Sequence, residues 1–400
     1  MRILVHSSLS YSLVNFRGEF LRALRDAGHD VLATAPDKDP EVVAQLGAMG
    51  VRFRRVAMSR AGLNPMADLM MLGAYLRLMW TERPDVVIAY TQKPIIYAGL
   101  AARLFPGTKF HVIMSGLGFV FSSPEGQRHA LRKLVSYMYR LAVAKAETIF
   151  VFNSDDRDEM LRRRIISREQ NVIQVPGSGI DTDHFLPAPL PDGPPTMLLI
   201  ARLMRDKGIY DFIDAARLVR AVWPECRFRI LGRAENDNPT GIPAAEIKRF
   251  SAEGIVEFLP ETRDVRPHLA QATVFVLPSY YREGLPRTIL EALSSGRAVI
   301  TTDLPGCRDA IIEGKNGYLV PPRSPRKLAD AILKVISDPG LLREMSAFAR
   351  EVAVAKYDVH KVNRQLLESM GLAARPPKPV GRDGTRRARS SGLTEIPSTS

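Results

Sequence analysis

Residues 273–296 read TVFVLPSYYREGLPRTILEALSSG: a short apolar run, a turn and a second, helix-like segment. The β-branched and aromatic residues of TVFVL are typical of a buried strand. The turn REGLP ends at Pro286, which suits the first position of a helix because no N–H is needed there. RTILEALSS is then a helix, and Gly296 is a typical helix stop. The stretch therefore predicts a strand–turn–helix unit of an α/β fold.

The same alternation of short apolar runs and helical patterns continues on both sides of this unit. The predicted strands of the first half are RILVHS (2–7), VLATA (31–35), VRFRRVA (51–57), DVVIAY (85–90), KFHVIM (109–114) and TIFVFN (148–153). Those of the second half are TMLLIA (196–201), RFRILG (227–232), VEFL (256–259), TVFVLP (273–278), AVITT (298–302) and GYLVPP (317–322). Such alternation implies parallel sheets with helices on both faces. The predicted fold class is α/β, with two Rossmann-like parallel-sheet domains facing each other across a cleft.

The boundary between the two halves is predicted at HFLPAPLPDGPPT (184–196), which is rich in Pro and Gly and has no periodicity. We predict an N-terminal domain over 1–185 and a C-terminal domain over 186–356. A last helix over about 357–371 can cross back onto the first domain. Residues 372–400 are rich in Pro, Arg and Ser with few apolar residues, which predicts a disordered basic tail.

Two glutamates flank the predicted helix start, Glu283 in the turn and Glu291 inside the helix. The N–H groups of the first helical turn have no helical acceptor and can bind an anion. Carboxylate, anion site and carboxylate in a row suit a sugar, a diphosphate and a ribose, with each carboxylate accepting hydrogen bonds from hydroxyls. The alternative is that both glutamates merely face solvent. The candidate substrate-binding residues between them are Gly284, Leu285, Pro286, Arg287 and Thr288.

A second candidate anion site follows the strand TMLLIA. Arg202 lies just past its carboxyl end, and Lys207 precedes Gly208 at the start of the next predicted helix. A guanidinium, an ammonium and a helix N-terminus that converge on one point suit a diphosphate. The alternative is that both cations face solvent, as surface Arg and Lys commonly do.

These stretches resemble a known family. The residues that carry the likeness are ARLMRDKGIYDFIDAARL (201–218), ENDNPTGI (235–242), the run from VEFLPETRDV to GCRDAI (256–311) and NGYLVPP (316–322). In the first half the likeness is looser, at NFRGEFLRALRDAGHDV (15–31) and SGLGFVF (115–121). Together they resemble the retaining glycosyltransferases of family 4, which have the GT-B fold, and more narrowly the bacterial branch that acts on lipid-linked saccharides and surface polysaccharides.

The resemblance implies a role for each matching residue. Arg202 and Lys207 would hold the donor's diphosphate and stabilise its negative charge as it leaves, so neither a metal nor another cofactor is expected. Glu283 would contact hydroxyls of the transferred sugar, Leu285 and its neighbours would offer backbone N–H groups, and Glu291 would bind the ribose. The anomeric configuration of the sugar would be retained.

The first domain matches the family less closely. Gly18 and Arg17 are candidates for a loop that approaches the donor phosphates, although Arg17 could equally face solvent or the acceptor. Ser115 and Gly116 stand where relatives often have His-Gly, so no general base is assigned; His111 is interpreted as a packed residue. Gly232, at the end of RFRILG, is a further candidate substrate contact.

Composition narrows the set of partners. The net charge of +13 is spread along the chain without a basic stripe interleaved with aromatics, which disfavours nucleic acid and favours anionic small molecules or an anionic membrane surface. Cys226 and Cys307 stand far apart, which suits a reducing cytoplasm. Asp181 and Asp183 could suggest a metal site, but their setting among Pro and Gly favours a turn in which Asp side chains bond the nearby backbone.

The segment 125–147 is predicted to be a basic amphipathic helix. Its apolar stripe is Leu131, Leu134, Val135, Met138, Leu141 and Ala142. Such a stripe can lie on anionic lipid or pack on the core of the domain. The lipid-linked acceptor that the resemblance implies favours peripheral contact of the first domain with the inner face of the cell membrane.

The sequence thus predicts a retaining transferase that moves a hexose or N-acetylhexosamine from a nucleotide sugar, most simply a UDP-sugar, to a polyprenyl-diphosphate saccharide or a surface polysaccharide precursor. Two alternatives stay open: a sugar-nucleotide epimerase of the same fold, and a non-catalytic nucleotide-sugar-binding protein.

Overall fold

The computed structural model describes residues 1–58, 64–118, 121, 129–235 and 238–374. The strands form two sheets, one of seven and one of six strands. All neighbouring strands are parallel in both sheets. The predicted class, two Rossmann-like parallel sheets in an α/β fold, is confirmed.

The first sheet has the strand order β3-β2-β1-β4-β5-β6-β7. Its strands are β1 (Arg2–His6), β2 (Asp30–Ala35), β3 (Arg52–Arg55), β4 (Val86–Tyr90), β5 (Lys109–Met114), β6 (Thr148–Val151) and β7 (Val172–Gln174). The helices of this half are α1 (Ser10–Asn15), α2 (Gly18–Asp26), α3 (Pro40–Ala48), α4 (Pro65–Glu82), α5 (Gln92–Ala102), α6 (His129–Val143) and α7 (Ser154–Arg162). The strand order reverses direction between β1 and β4, so a ligand crevice is expected at their carboxyl ends.

The second sheet has the order β10-β9-β8-β11-β12-β13. Its strands are β8 (Thr196–Ile200), β9 (Arg227–Leu231), β10 (Glu257–Leu259), β11 (Val274–Leu277), β12 (Ala298–Thr302) and β13 (Gly317–Val320). The helices are α8 (Ile209–Val222), α9 (Ala244–Ala252), α10 (Arg266–Ala270), α11 (Arg287–Ser294), α12 (Pro325–Ile336), α13 (Pro339–Val352) and α14 (Val359–Met370), with a π-helical turn at Ala353–Tyr357. Here the order reverses between β8 and β11, which places the turns carrying Lys207 and Glu283 at the crevice.

Several local predictions are wrong. The seven-stranded sheet contains β7, a three-residue strand too short for its pattern to stand out, and α1 occupies what reads as a long turn. Pro286 is the residue before α11, not its first position; its extended backbone, ψ 120°, leaves Arg287 to begin the helix.

The predicted apolar stripe of α6 is wrong at Leu134, although Val135 and Ala142 are buried and Leu131 and Met138 pack against the core. Leu134 is 51% exposed, whereas the buried residues of α6 include Arg132, Ser136 and Tyr139. The neighbouring α5 packs against α6. Residues 122–128, at the start of the predicted helix, lie outside the described residues.

The C-terminal segment of the chain packs back onto the first half. The C-terminal helix α14 packs against α2, and the His29 ring lies 2.9 Å from the Leu372 carbonyl oxygen. Leu372, the first residue of the predicted tail, is buried. Residues from 375 lie outside the described residues. The buried Arg297 donates to the carbonyls of Ala188 and Pro189, which fixes the linker that reads as structureless.

Within the described part of the chain, no helix combines the length and the apolarity that crossing a bilayer requires.

Candidate active site

The N-terminus of α11 forms the centre of the candidate site. Pro286, just before the helix, provides no side-chain hydrogen bond to its first turn. The N–H groups of Arg287 and Thr288 therefore have neither a helical acceptor nor a side-chain cap, and they carry the positive end of the helix dipole. On either side of this open end lies one of the two candidate carboxylates, each paired with a cation.

The first pair joins Lys207 and Glu283, which come from different strand–helix units. The Lys207 ammonium donates to Glu283 Oε1, and each side chain is 13% exposed. Ser279 Oγ donates to the same oxygen at 3.1 Å, and the ammonium lies 5.1 Å from the centre of the Tyr281 ring. Glu283 is thus oriented by two donors, and Lys207 is held at the carboxyl edge of the second sheet by a charge-assisted bond.

The second pair, Arg287 and Glu291, spans the first turn of α11. Arg287 Nε donates to Glu291 Oε1 at 3.1 Å, and Arg287 Nη1 donates to the backbone carbonyl of Asn15 in the first domain. Glu291 is buried, and burial raises the pKa of its carboxyl, a shift that the Arg287 guanidinium opposes. The structure thus brings Glu283, Arg287 and Glu291 to one helix end, in the order that the spacing predicts.

Arg202 does not share a partner with Lys207. Its guanidinium is about half exposed and lies 3.8 Å from Glu235 Oε2, which also pairs with Arg233. The predicted convergence of Arg202 and Lys207 on one point is therefore not seen in their contacts. Arg202 keeps the freedom to turn toward a ligand, because a half-exposed pair at this distance holds it weakly.

The two domains touch at the turn that precedes α11. A Cβ added to Gly284 would overlap the carbonyl of Ser115, and one added to Gly116, at φ +122°, would lie 3.0 Å from Gly284 N. Asn153 Nδ2 donates to the Gly284 carbonyl at 2.8 Å. The candidates Ser115, Gly116 and Gly284 therefore meet at the domain boundary, and the two glycines are needed for this close approach.

Other glycines have packing reasons. Gly306, at φ +82°, packs against the turn that carries Glu283. A Cβ at Gly306 would lie 2.6 Å from the carbonyl oxygens of Glu283 and Gly284. Gly306 is not among the predicted site residues, although the dipeptide Pro305-Gly306 marks a turn. Gly232 packs directly against the Ala201 carbonyl, which explains the glycine without a ligand. Leu285 is buried and fits against Gly177, where a Cβ would lie 2.8 Å from Leu285 Cδ2.

The remaining candidates lie in the first domain. Gly18 is the first residue of α2, as predicted, and Arg17 just before it is buried, with its guanidinium 5.2 Å from the centre of the Tyr90 ring. His111 is buried inside β5, as interpreted from the sequence, and burial lowers its pKa to about 4. It therefore stays neutral and does not line the cleft as a base.

Asp181 forms the predicted turn. Its Oδ1 accepts the N–H groups of Asp183 at 3.0 Å and His184 at 2.9 Å. Among the described residues no three His, Cys, Asp or Glu side chains are grouped so as to hold a metal ion.

Two parallel sheets of this order, with cations and carboxylates paired around a helix end at their boundary, define a protein of the GT-B glycosyltransferase class. Two family models match the chain: "Glycosyl transferase 4-like domain" over residues 15–177 and "Glycosyl transferases group 1" over residues 194–338. The chain belongs to this family of group 1, family 4-type glycosyltransferases.

The relatives agree with this assignment. N,N'-diacetylbacillosaminyl-diphospho-undecaprenol alpha-1,3-N-acetylgalactosaminyltransferase of Campylobacter jejuni is 25% identical over 92% of this chain and 98% of its own length. Alpha-D-kanosaminyltransferase of Streptomyces kanamyceticus is 28% identical over 58% of this chain and 62% of its own length.

Solved structures share the fold. Anabaena HepE in complex with UDP superimposes with a TM-score of 0.75 at 18% identity, covering 93% of this chain and 100% of HepE. Sucrose-phosphate synthase of Thermosynechococcus elongatus superimposes with a TM-score of 0.73 at 19% identity, covering 94% of this chain and 100% of its own.

Proposed function

We propose that this glycosyltransferase moves a hexose or N-acetylhexosamine from a UDP-sugar to a polyprenyl-diphosphate-linked saccharide, with retention of anomeric configuration and without a metal. The observation that carries the proposal is the pair of ion pairs, Lys207–Glu283 and Arg287–Glu291, on either side of the open N-terminus of α11. This arrangement offers positive charge to a diphosphate and a carboxylate to hydroxyls on each side of it.

In the proposed complex the diphosphate lies against the free N–H groups of α11 and the Lys207 ammonium. Glu283 accepts a hydrogen bond from a hydroxyl of the transferred sugar, and Glu291 accepts hydrogen bonds from the ribose. Arg202, which its weak pairing with Glu235 leaves free to turn, adds a second cation to the diphosphate.

The reaction exchanges one bond of the anomeric carbon for another. The acceptor hydroxyl oxygen forms a bond to this carbon while the bond to the diphosphate oxygen breaks. The hydroxyl proton passes to the departing diphosphate, and attack on the face that the diphosphate leaves retains the configuration. Lys207 and the helix N–H groups stabilise the charge that develops on the leaving group.

The acceptor and the donor base rest on the relatives. The Campylobacter jejuni relative is named for a diphospho-undecaprenol acceptor and for transfer of N-acetylgalactosamine, and it matches this chain over nearly its whole length. HepE, which shares the fold, is described in complex with UDP. Both support, for this chain, a UDP-sugar and a lipid-linked acceptor.

A donor panel tests the reaction. The purified protein is incubated with UDP-, GDP- and ADP-sugars and a short-chain polyprenyl-diphosphate saccharide, and the release of nucleoside diphosphate is followed. We expect release with UDP-sugars only, and a product whose anomeric coupling constant in NMR matches that of the donor. Inversion of this coupling, or preference for GDP- or ADP-sugars, contradicts the corresponding part of the proposal.

We also propose that the outer helices of the first domain lie on the membrane. α4 exposes four large apolar side chains and α6 two; they are Met66, Leu69, Met70 and Trp80 on α4 and Leu134 and Tyr137 on α6. α5 packs against both helices, so the three form one layer. An exposed apolar surface of this extent is typical of a membrane or protein interface.

The charge of this layer suits an anionic lipid surface. Lys133 and Arg140 are exposed on α6 next to Leu134 and Tyr137, whereas on α4 the carboxylate of Asp68 is buried against Lys93. At the C-terminal end of α6, Arg140 also lines an open cavity of about 660 Å³ together with Arg164 and Arg168. Apolar side chains surrounded by cations bind anionic membranes more strongly than neutral ones.

Vesicle co-sedimentation tests the membrane contact. The double variant Leu134→Ser/Tyr137→Ser and the charge variant Lys133→Glu/Arg140→Glu should both lose binding to vesicles of equal parts phosphatidylglycerol and phosphatidylcholine. The matched control is Leu218→Ser/Val222→Ser, which changes two exposed apolar residues of α8 in the other domain. Equal binding by all three proteins would show that this layer is not the contact.

A further inference from the structure

Arg17 is buried, and no carboxylate of the described residues forms an ion pair with it. Its side chain lies between two aromatic rings, with the guanidinium carbon 5.2 Å from the centre of the Tyr90 ring and 5.6 Å from that of Phe152. The Nε and Nη1 groups are buried and have no hydrogen-bond partner in the described part of the chain. Stacking on aromatic faces offsets part of the cost of burial but leaves the N–H groups in the ring plane unsatisfied.

The guanidinium nevertheless stays charged. Burial lowers the pKa of Arg17 to about 10, well above neutral pH. A buried charge whose N–H groups lack hydrogen-bond acceptors is costly, and two of the three nitrogens of Arg17 are in this position. Such groups persist where a ligand satisfies them, so an anionic ligand is the simplest explanation.

A second guanidinium lies close enough to Arg17 to repel it. Arg287, the first residue of α11, lowers the pKa of Arg17 further through its charge. Its Nη1 donates to the Asn15 carbonyl, so Arg287 contacts the first domain two residues before Arg17. Two like charges close together favour an anion between them. A phosphate group can accept hydrogen bonds from both guanidinium groups.

The neighbouring backbone is strained at the same edge of the sheet. Thr91 directly follows Tyr90 and has φ 70° and ψ 157°, a region that threonine rarely adopts. Its Oγ1 is also buried without a partner in the described residues. Buried polar atoms without a partner among the described residues therefore occur on Thr91, next to Tyr90 in sequence, and on Arg17, which contacts the Tyr90 ring, at the carboxyl end of β4 where the strand order reverses.

We infer that Arg17 and Arg287 together bind one phosphate group at the domain boundary, apart from Lys207 and Arg202. Arg17 thereby makes the first domain a direct contributor to diphosphate recognition. The inference rests on the proposed function, because the phosphate belongs to one of the two substrates, the donor or the lipid-linked acceptor. Both substrates carry a diphosphate, and two measurements distinguish between them.

Inorganic pyrophosphate is the probe, and calorimetry gives its affinity without any turnover. The measurements use a Lys207→Met background, which removes the Lys207 ammonium as a competing anion site. We expect Arg17→Met to weaken pyrophosphate binding about tenfold or more, since it removes charge-assisted hydrogen bonds. The matched control is Arg22→Met, an exposed arginine of α2 that pairs with Glu19 at 3.5 Å and should leave the affinity unchanged.

Thermal melting separates this role from a structural one. Without ligand, Arg17→Met should melt no lower than its parent, because it removes a buried unsatisfied charge. Unchanged pyrophosphate affinity in a folded Arg17→Met protein overturns the inference. If that variant does not fold, Arg17→Lys is used instead, because it keeps the charge but not the planar guanidinium. We expect it to bind pyrophosphate about tenfold more weakly, and unchanged binding overturns the inference.

Two further measurements identify the source of the phosphate. A weaker affinity of Arg17→Lys for UDP assigns the site to the donor. An unchanged affinity for UDP with a raised KM for the polyprenyl-diphosphate acceptor assigns it to the acceptor, and no change in either overturns the inference. If pyrophosphate affinity is lost but no donor of the panel is turned over, the anion site stands and the proposed reaction fails.

Discussion

The carboxyl edges of the two sheets meet at the domain boundary, and they differ in whether their charged and polar groups are paired. On the second domain, Lys207, Arg287 and Arg202 each lie beside a carboxylate, and both buried carboxylates at α11 have a cation. On the first domain, Arg17 and Thr91 bury polar atoms that have no partner among the described residues. The second edge pairs its charges within the protein, and we call it the preformed edge. In the proposed complex, a phosphate satisfies the polar groups of the first edge.

The largest expected effect comes from breaking the pair at the preformed edge. Lys207→Ala and Glu283→Gln should each lower turnover by at least about 100-fold, because each removes stabilisation of charge or orientation at the reacting sugar. Steady-state transfer from a UDP-sugar measures this loss. The control Arg217→Ala, which breaks the exposed pair with Glu253 on the outer surface of the same domain, should transfer normally. Normal turnover by either site variant would mean that the pair is structural.

The contact between the two edges is tested at Gly284. Gly284→Ala places a methyl group on the Ser115 carbonyl, so the turn and the first domain must move apart. A displacement of about 1 Å at an active site can cost about 100-fold in rate. Gly47→Ala is the matched control and should transfer at the normal rate, because a Cβ added to this helical glycine would meet nothing within 4 Å. Equal rates for both variants would show that the edges need not touch during transfer.

A smaller effect is expected for nucleotide binding at the second pair. Glu291→Gln should weaken UDP binding about tenfold, the size expected for loss of a hydrogen bond to a charged group. Because burial raises the pKa of Glu291, its carboxylate is protonated at a higher pH than that of a free glutamate. UDP affinity should therefore fall as the pH is lowered toward the raised pKa of Glu291, and Glu291→Gln should remove this dependence. Calorimetry at several pH values measures both; an unaltered pH profile in the variant would assign the dependence to another group.

The smallest effect is expected from removing metal ions. Transfer should proceed at the same rate in excess EDTA, because Lys207, Arg202 and the N-terminus of α11 supply the positive charge, and Asp181 is engaged with the N–H groups of Asp183 and His184. The measurement is the initial rate with and without added Mg²⁺. Strict dependence on Mg²⁺ would show that the preformed edge lacks the charge it needs, and would bring Asp181 and Asp183 back as ligands.

Local patterns determined the greater part of this molecule. The strands of the second sheet, the helix that carries Glu291 and the turn at Asp181 follow from β-branched runs, helix stops and Asx chemistry, all of which act within a few residues. The spacing of Glu283 and Glu291 likewise places one carboxylate on each side of a helix start. The domain limits at 185 and 186 stay a prediction from composition.

Only the tertiary structure decided which residues meet. The partner of Lys207 stands 76 residues away in sequence, Arg287 reaches a carbonyl 272 residues away, and Leu134 is exposed where its helical pattern predicts a buried residue. These outcomes depend on which strand ends the sheet order brings together and which face of a helix its neighbours cover. A sequence pattern carries the periodicity of one element, whereas burial and pairing are set by the elements packed around it. For the same reason the pattern around Arg17 is equally consistent with a surface residue, and only the packing of Tyr90 and Phe152 against it makes it a buried one.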